Sequence, residues 1–406
     1  MSRFGNLFQE KIAKKNLKET DEVVFIGMQD VDENATIKNT TKLSYCNVKS
    51  GFTYFEKNDV LVAKITPCFE NGKGGFADKI PTQIGFGSTE FHILRAKSEV
   101  DPRYVYFQTK RPRFRNELEG EMVGSAGHRR VPFSSIQKFE LEVDHTFEEQ
   151  AAIADALTDV DAVITALEKL IVKKRAIKAA TMQQLLTGKK RLPPFDKSHT
   201  GYKQTELGEI PEDWKLVKFD SVCTIINGRG FKPYEWSQNG LPIIRIQNLN
   251  GSDDFNFYEG HFDSKILVQH GQLLFAWSGS RGTSFGPHVW HGGDAVLNYH
   301  TWKLVVDESK IDEGFFFHEL KILTKIIEDS AHGASALVHT QKGEMEKFEL
   351  AIPNSKEEQA LISQVLSDMD LELDKLEQRL DKVRKIKQGM MQELLTGRTR
   401  LVAGTA

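Results

Sequence analysis

The sequence has little of what marks a secreted, membrane or metal-binding protein. Its 406 residues include three cysteines, Cys46, Cys68 and Cys223, which lie far apart and are odd in number. They exclude a disulfide framework and a cysteine-based zinc site, and they fit a reduced, cytoplasmic compartment. No apolar run approaches the length of a membrane span, and the N-terminus does not resemble a signal peptide. We therefore expect no membrane partner and no metal site.

The net charge is small, and no catalytic motif is complete. The net charge is −3, so any surface that binds nucleic acid must be local or shared with a partner. The run 192–195 (LPPF) looks like the Asx/Ser-Pro-Pro-aromatic motif of amino-methyltransferases, but Leu192 cannot accept a hydrogen bond from a base, which favours a linker. Residues 72–75 lack the spacing and hydroxyl of a P-loop, and residues 279–282 lack the spacing of a nucleophile elbow. The sequence thus predicts no catalytic site and no bound cofactor.

What the chain does contain is one stretch that occurs twice. Residues 139–192 and 348–401 align without a gap, and 25 of the 54 positions are identical. Within both copies the apolar residues step by four and three, which gives the 3.5-residue period of a coiled-coil seam. A helix of about 40 residues is roughly 60 Å long and needs a partner along its length. We expect the two copies to be partners for one another.

Both ends of each predicted helix carry recognisable signals. A capping box opens each helix and a glycine at the C′ position closes it. Each copy is basic near its end, and the first is acidic near its start, which favours antiparallel pairing with helix dipoles opposed. Two separate helices, each packed on its own lobe, are the alternative. The signal residues are Thr146 with Glu149, Gly188, Ser355 with Glu358, and Gly397.

Short alternating runs on either side of the first helix predict strands. We place first-lobe strands at 22–28, 59–65 and 89–94, and second-lobe strands at 214–217, 242–247, 272–277 and 301–306. Helices are predicted at 102–118 and 313–329. The two lobes share this order of segments. Segment 26–31 is similar in sequence to 244–249, and 59–63 to 272–276, whereas 89–91 corresponds to 301–303 by position only.

These patterns predict an α+β fold with two pseudo-symmetric α/β lobes separated by two long antiparallel coiled-coil helices. The predicted boundaries are 1–145 for the first lobe, 146–190 for the central helix, 191–354 for the second lobe and 355–401 for the C-terminal helix.

Polar residues at the predicted strand ends and loops suit recognition of a ligand. Arginine can bind guanine bidentately, and glutamine or asparagine can bind adenine, whereas basic clusters suit phosphates. For any single residue, a solvated surface is the simpler explanation; the recurrence at equivalent places in two lobes favours a ligand surface. The first-lobe candidates are Gln29, Asp30, Lys64, Thr66, Asn71 and Lys73, with Arg113, Arg129 and Arg130 for phosphates. The second-lobe candidates are Arg229, Arg245, Gln247, Asn248, Trp277, Ser278, Ser280 and Arg281.

Several motifs together resemble one known family. The pairs Glu148-Glu149-Gln150 and Glu357-Glu358-Gln359 recur, as do the helix endings 182–188 (MQQLLTG) and 391–397 (MQELLTG). The second lobe adds 207–214 (LGEIPEDW), 227–233 (NGRGFKP), 242–250, 274–280 (LFAWSGS) and 298–303 (NYHTWK). The chain resembles the DNA-specificity subunit of type I restriction-modification systems. The resemblance covers nearly the whole chain, although the first lobe lacks the Gly-x-Ile-Pro-x-x-Trp opening.

The resemblance implies a mechanism. Each lobe would be a target-recognition domain that reads one half of a bipartite site in the major groove of double-stranded DNA. The helices would set the spacing and dock two methyltransferase subunits carrying S-adenosylmethionine, and restriction subunits would add translocation driven by ATP and Mg. The chain itself would be non-catalytic. Two other classes stay open from the residues alone: a two-lobed protein scaffold that binds no DNA, and an enzyme with an unfamiliar site.

Overall fold

The structure, a computed structural model, describes residues 2–125, 127–197, 201–330 and 337–401. The chain divides into two compact units, residues 1–169 with 377–406, and residues 170–376. Each unit contains one lobe and part of each long helix. Over the described residues, no helix combines the length and apolar character needed to cross a bilayer.

The first unit holds two small sheets and three short helices. Its strands are β1 (Ser2–Arg3), β2 (Glu22–Ile26), β3 (Thr41–Ser44), β4 (Thr53–Glu56), β5 (Val60–Ala63), β6 (Gly74–Phe76), β7 (Ile84–Gly87), β8 (Phe91–Leu94) and β9 (Glu140–Leu141). Its helices are α1 (Pro102–Thr109), α2 (Pro112–Gly120), α3 (Phe133–Lys138) and the start of α4 (Phe147–Leu186). One sheet has the order β3-β2-β7-β4 and the other β6-β5-β8, while β1 pairs with β9. Within the first sheet, β2 and β7 run parallel.

The second unit repeats this plan with additions. Its strands are β10 (Tyr202–Thr205), β11 (Gly208–Pro211), β12 (Trp214–Lys218), β13 (Cys223–Asn227), β14 (Leu241–Ile244), β15 (Phe257–Tyr258), β16 (Leu267–Val268), β17 (Leu273–Ala276), β18 (Ser278–Ser280), β19 (Gly286–Val289), β20 (Ala295–Leu297), β21 (Thr301–Val306), β22 (Leu337–His339) and β23 (Glu349–Pro353). Its helices are α5 (Phe219–Val222), α6 (Ile246–Leu249), α7 (Glu313–Ser330), α8 (Lys342–Met345) and the start of α9 (Lys356–Leu394).

The sheet orders show that the duplication includes the lobes. The order β15-β14-β20-β16 matches β3-β2-β7-β4, and β19-β17-β21 matches β6-β5-β8. In both lobes the central pair, β2 with β7 and β14 with β20, is parallel. Parallel strands are normally covered on both faces. Accordingly, every residue of β7 and of β20 is buried. The predicted echo between 26–31 and 244–249 is confirmed by these matching positions.

Two details of the predicted lobes are wrong. The register places Phe91 opposite Ala63 and Thr301 opposite Ala276, so Thr301 matches Phe91 rather than Thr89. The error arose because position alone, with no shared pattern, set that alignment. The predicted helix 102–118 is also two helices, because Pro112 lacks the amide hydrogen that would continue α1.

The two long helices begin and end at the predicted signals. Thr146 and Glu149 exchange hydrogen bonds of 3.0 and 3.4 Å, which is a complete capping box. The Ser355 hydroxyl accepts from the Glu358 amide at 3.2 Å. Gly188 and Gly397 adopt φ values of +66° and +72°, the left-handed conformation that closes a helix at C′.

In the first unit, α4 and α9 pack antiparallel. Ile153 and Leu157 of α4 share a hydrophobic core with Leu394, the last residue of α9, and with Leu395, which follows it. Three ion pairs follow the same direction, since the α4 partner rises in number as the α9 partner falls. They are Glu149–Arg400, Asp161–Lys387 and Glu168–Arg384. Antiparallel pairing is therefore confirmed here.

The second unit shows the same arrangement with the helices exchanged. Leu185 and Leu186 share a core with Ile362 and Leu366. The ion pairs are Lys174–Glu372, Lys178–Asp370 and Arg191–Glu358. Since each unit's core contains residues of both helices, the alternative of two separately packed helices is wrong.

A buried glutamine joins each helix start to its lobe. Gln150 accepts a hydrogen bond from the Asp101 amide at 3.2 Å, and Gln359 accepts one from the Asp312 amide at 2.7 Å. Asp101 precedes α1 and Asp312 precedes α7, so these two aspartates occupy equivalent places. Counting along the helices then matches Gln108 with Glu319.

Candidate nucleic-acid interface

In each lobe, the parallel strand pair brings two loops to one edge of a sheet. Ile26 lies beside Gly87 at the end of β2 and β7, and Ile244 lies beside Leu297 at the end of β14 and β20. Open sheets place ligand sites where the carboxyl ends of parallel strands meet. We call this the reading edge. Its loops are 27–30 with 88–90 in the first lobe, and 245–248 with 298–300 in the second.

The first loop of each reading edge is built in the same way. Asp30 accepts a hydrogen bond from the Gly27 amide at 2.7 Å, and Asn248 accepts one from the Arg245 amide at 3.0 Å. Both side chains are buried, and the Asn248 amide group also donates to two loop carbonyls. These two residues shape the loop from within. The residues that precede them, Gln29 and Gln247, are exposed and face solvent at the edge.

A second pair of equivalent residues follows β5 and β17. Lys64 comes directly after β5 in the first lobe, and Trp277 comes directly after β17 in the second. The Lys64 amide donates to the Glu90 carbonyl at 2.9 Å, and the Trp277 amide donates to the His300 carbonyl at 3.3 Å. These matching bonds show that Lys64 and Trp277 are equivalent, as are Glu90 and His300. The Trp277 indole is fixed, since it donates to the Tyr299 carbonyl at 2.7 Å.

An isolated bridge between Ile65 and Arg130 brings Arg130 beside Glu90. The Arg130 guanidinium binds the Glu90 carboxylate at 2.7 and 3.0 Å, and this pairing holds the pKa of Glu90 below its usual range. Val131 and Thr340 donate to the equivalent carbonyls of Lys64 and Trp277, which places His339 at the position of Arg130. The first lobe thus carries ionised groups where the second carries rings.

The other first-lobe candidates divide between the edge and elsewhere. Lys73 donates to the Met28 carbonyl at 3.2 Å and Asn71 to Glu33 at 3.2 Å, so both contact the chain around the first loop. Arg129 lies 3.9 Å from Glu70. Arg113 is instead on α2, near β9. Its guanidinium group is paired with Glu117 and Glu142 and lies over the Phe139 ring. The structure does not bring Arg113 to the reading edge.

In the second lobe, two of the three candidate arginines, Arg229 and Arg245, lie at the edge and pack against aromatic rings. The Arg229 guanidinium carbon lies 4.8 Å from the Phe231 ring centroid and is paired with Glu235. The Arg245 guanidinium carbon lies 5.6 Å from the Trp236 ring centroid, and its nitrogen donates to Asn256 at 2.9 Å. Both guanidinium groups are thereby held in place.

The serines belong to a separate short ladder. Ser278 and Ser280 are on β18, opposite His339 and Leu337 of β22. Ser280, the last residue of β18, is exposed, and so is Arg281 in the turn that follows. This ladder starts directly after Trp277 and so adjoins the reading edge.

Sequence reasoning missed several residues that the structure places at the edge. They are Glu90 in the first lobe and Trp236, Tyr299 and His300 in the second. Burial together with the Arg245 charge lowers the pKa of His300, so its ring is neutral at neutral pH. The signal was available, since Tyr299 and His300 come just after the apolar run of β20. Within the described residues, no group of histidine, cysteine or carboxylate side chains could hold a metal ion.

Comparisons with known proteins agree with this architecture. A family model described as the type I restriction modification DNA specificity domain matches twice, at residues 3–178 and 211–385. The chain is 25% identical over 283 residues to the type I restriction enzyme EcoAI specificity subunit of Escherichia coli, which covers 50% of this chain and 47% of that protein. It is 26% identical over 272 residues to the MjaVIII specificity subunit of Methanocaldococcus jannaschii, covering 63% of this chain and 61% of that one. The chain therefore spans about half to three-fifths of the length of these two relatives.

A solved structure shows the same fold. The type I restriction-modification S subunit from M. genitalium superposes with a TM-score of 0.58 at 17% identity, over 97% of this chain and 95% of that one.

Proposed function

The chain belongs to the type I restriction modification DNA specificity domain family, and we propose that it is the DNA-reading subunit of a type I restriction-modification complex. Each lobe reads one half of a bipartite site in the major groove of double-stranded DNA. The two helices set the spacing of the half-sites. In this proposal the lobes span 1–145 and 191–354, and the helices span 146–190 and 355–401.

One observation carries this proposal: the two lobes share a reading edge on which different side chains stand. A common backbone edge with the ionised set Lys64, Glu90 and Arg130 in one lobe, and the rings of Trp277 and His300 in the other, suits two readers of different sequences. A scaffold without a ligand at these edges gives no reason for exposed, hydrogen-bonding side chains at matched positions.

The edge side chains have the chemistry of direct base readout. Gln29 and Gln247 stand on the first loop of each edge, and glutamine pairs with the N6 and N7 atoms of adenine. Arg245 can pair with guanine, and a carboxylate such as that of Glu90 accepts from the cytosine amino group. Asn248, which is buried, positions Gln247. Arg129 and Arg113 suit phosphates, which fix register without reading sequence.

The chain acts without catalysis of its own. The helices dock two methyltransferase subunits, which bring S-adenosylmethionine, and restriction subunits that use ATP and Mg join the same complex. The exposed faces of α4 and α9, which come from the duplicated segment, are suited to bind two copies of one partner, whereas the recurring Glu-Glu-Gln and Leu-Leu-Thr-Gly stretches are largely buried within the chain. The complex is cytoplasmic.

Exchange of one lobe tests the proposal. Residues 200–345 are replaced by the matching lobe of a relative, the chimera is expressed with its methyltransferase partner, and methylated adenines are mapped across the host genome. We expect one half-site to change and the other to stay. If both half-sites change together, or neither does, the lobes are not independent readers. If no DNA binding is found with the partner present, the chain is a protein scaffold.

A further inference from the structure

The second lobe has a pocket at its reading edge, and base readout from the groove gives no role to the rings of this pocket, Trp236, Tyr299 and His300. It has a volume of about 300 Å³ and is lined by side chains that include Trp236, Arg245, Gln247, Tyr299 and His300. This size is at the lower end of small-molecule sites. We call it the aromatic pocket.

Two rings of the aromatic pocket are unusually exposed for their size. Tyr299 is 48% exposed and Trp236 is 39% exposed. Neither is loosely held, because the Tyr299 ring packs on the His300 ring with centroids 3.7 Å apart and Arg245 lies against the Trp236 ring. The pocket therefore offers fixed, flat, apolar surface to a ligand.

The polar groups of the pocket include one that lacks a partner. The Nδ1 atom of His300 is buried and has no hydrogen-bond partner within the described residues. Buried polar atoms are normally paired, and leaving one unpaired is costly. This atom can meet the hydrogen-bonding edge of a planar ligand.

The fold does not require this pocket. The first-lobe positions that match Arg245, Tyr299 and His300 are Gly27, Thr89 and Glu90, and none of these is aromatic. Because the strand order is the same in both lobes, the rings are a property of the second lobe alone.

We propose that the aromatic pocket binds one nucleobase that has left the base stack of the second half-site. A base out of the stack presents a flat face, which stacks on aromatic side chains, and an edge that amide, guanidinium and imidazole groups can hydrogen-bond. The inference rests on the proposed function, because it assumes that this lobe reads duplex DNA. It adds a site that reads a base removed from the helix rather than a base in the groove.

The test uses the full chain assembled with its methyltransferase partner and a duplex of the mapped target. 2-Aminopurine replaces each base of the second half-site in turn, and permanganate reports unstacked thymines. The methylated adenines are left out, since methyltransferases extrude their own target base. We expect a severalfold fluorescence rise, or strong permanganate reactivity, at one non-methylated position.

Variants tie that signal to the pocket. Tyr299→Ala should abolish it and Tyr299→Phe, which keeps the ring, should retain it. Tyr234→Ala is the matched control, because Tyr234 is 86% exposed in the same lobe and does not line the pocket. Duplex binding with every non-methylated position stacked would overturn the inference while leaving the proposed function intact. A Tyr299-dependent response confined to single-stranded oligonucleotides would also overturn it. If the wild-type complex binds no duplex, the proposed function fails and this inference fails with it.

Discussion

The two lobes share a strand order, yet several of their exposed side chains differ at matched positions. At the reading edge, Lys64, Glu90 and Arg130 of the first lobe correspond to Trp277, His300 and His339 of the second. Backbone hydrogen bonds fix the edge in both, so its side chains can change without disturbing the sheet. The comparison teaches that the duplication preserved a frame and left the edge chemistry free to diverge.

The helix junctions are the opposite case, because there the same residues recur. Glu149 pairs with Arg400 in the first unit, and Glu358 pairs with Arg191 in the second. The environments differ, however. Arg191 and Glu358 are 5% and 1% exposed and Arg191 also binds Asp213, whereas Arg400 is 46% exposed.

The largest expected effect comes from breaking the buried member of this matched pair. Arg191→Ala leaves the Glu358 carboxylate buried without its cation, which typically costs about 3–5 kcal/mol of stability. Arg400→Ala removes a half-exposed cation, and the Glu149 carboxylate, although only 5% exposed, keeps its hydrogen bond from the Thr146 amide, so the loss of stability should be smaller than for Arg191→Ala. Urea unfolding of both variants measures the difference. An equal loss of unfolding free energy in both variants would show that the two ion pairs contribute equally to stability and would contradict the prediction.

The second prediction concerns one buried position that differs between the lobes. Gln108 is fully buried and hydrogen-bonded to Tyr104 and Arg111, and its counterpart Glu319 is also buried. Burial raises the pKa of Glu319 from 4.5 to about 8. The Glu319 carboxyl is therefore largely protonated at neutral pH, and it stands where the first lobe has a neutral amide.

This difference gives a pH dependence with a defined sign. Because the folded-state pKa exceeds the unfolded one, the stabilisation is fully present below about pH 4.5 and is lost as pH rises through about 8. The slope is at most about 1.4 kcal/mol per pH unit. Glu319→Gln should remove it, so that the variant gains on the wild type between pH 5 and 8. Gln108→Glu should not introduce the same slope into the first lobe, because the Arg111 guanidinium, which donates to Gln108 at 2.9 Å, would favour the ionised form of the new carboxyl group. Parallel stability curves for wild type and Glu319→Gln would contradict the assignment.

Local signals were enough to predict most of the frame. The capping signals and the closing glycines lie within a few residues of what they determine: the first capping box has both of its hydrogen bonds, the Ser355 hydroxyl accepts from the Glu358 amide in the second, and both glycines have the positive φ that closes a helix. The reading edge needed more, because Lys64, Glu90 and Arg130 come together only through the sheet register. A two-residue error in aligning Thr89 with Thr301 was enough to miss the equivalence of Glu90 and His300.

The third prediction sharpens the comparison of the two edges. Gln247→Ala should relax one position of the second half-site by about 1–3 kcal/mol and leave the first half-site unchanged. Gln29→Ala should do the reverse. Gln204→Ala, on the exposed strand β10, is the control. Binding measured against single-base variants of the target distinguishes these results; a loss spread over both half-sites would show that neither glutamine reads a base.

The smallest expected effect concerns two basic residues of the first lobe, Arg129 beside the reading edge and Arg113 away from it. Arg129 precedes Arg130, and the matching second-lobe residues are Val338 and His339, so phosphate contacts should be stronger around the first half-site. Arg129→Ala should weaken binding to all sequences alike and lower the salt slope by about one. Arg113→Ala is expected to act in the same direction, and because Arg113 is paired with Glu117 and Glu142, its effect should be smaller. Lys15→Ala is the control, since Lys15 binds Glu56, which lies opposite Ile84 at the other end of β7 from the reading edge. If Lys15→Ala lowers the salt slope as much as Arg129→Ala does, the DNA does not lie along the reading edge.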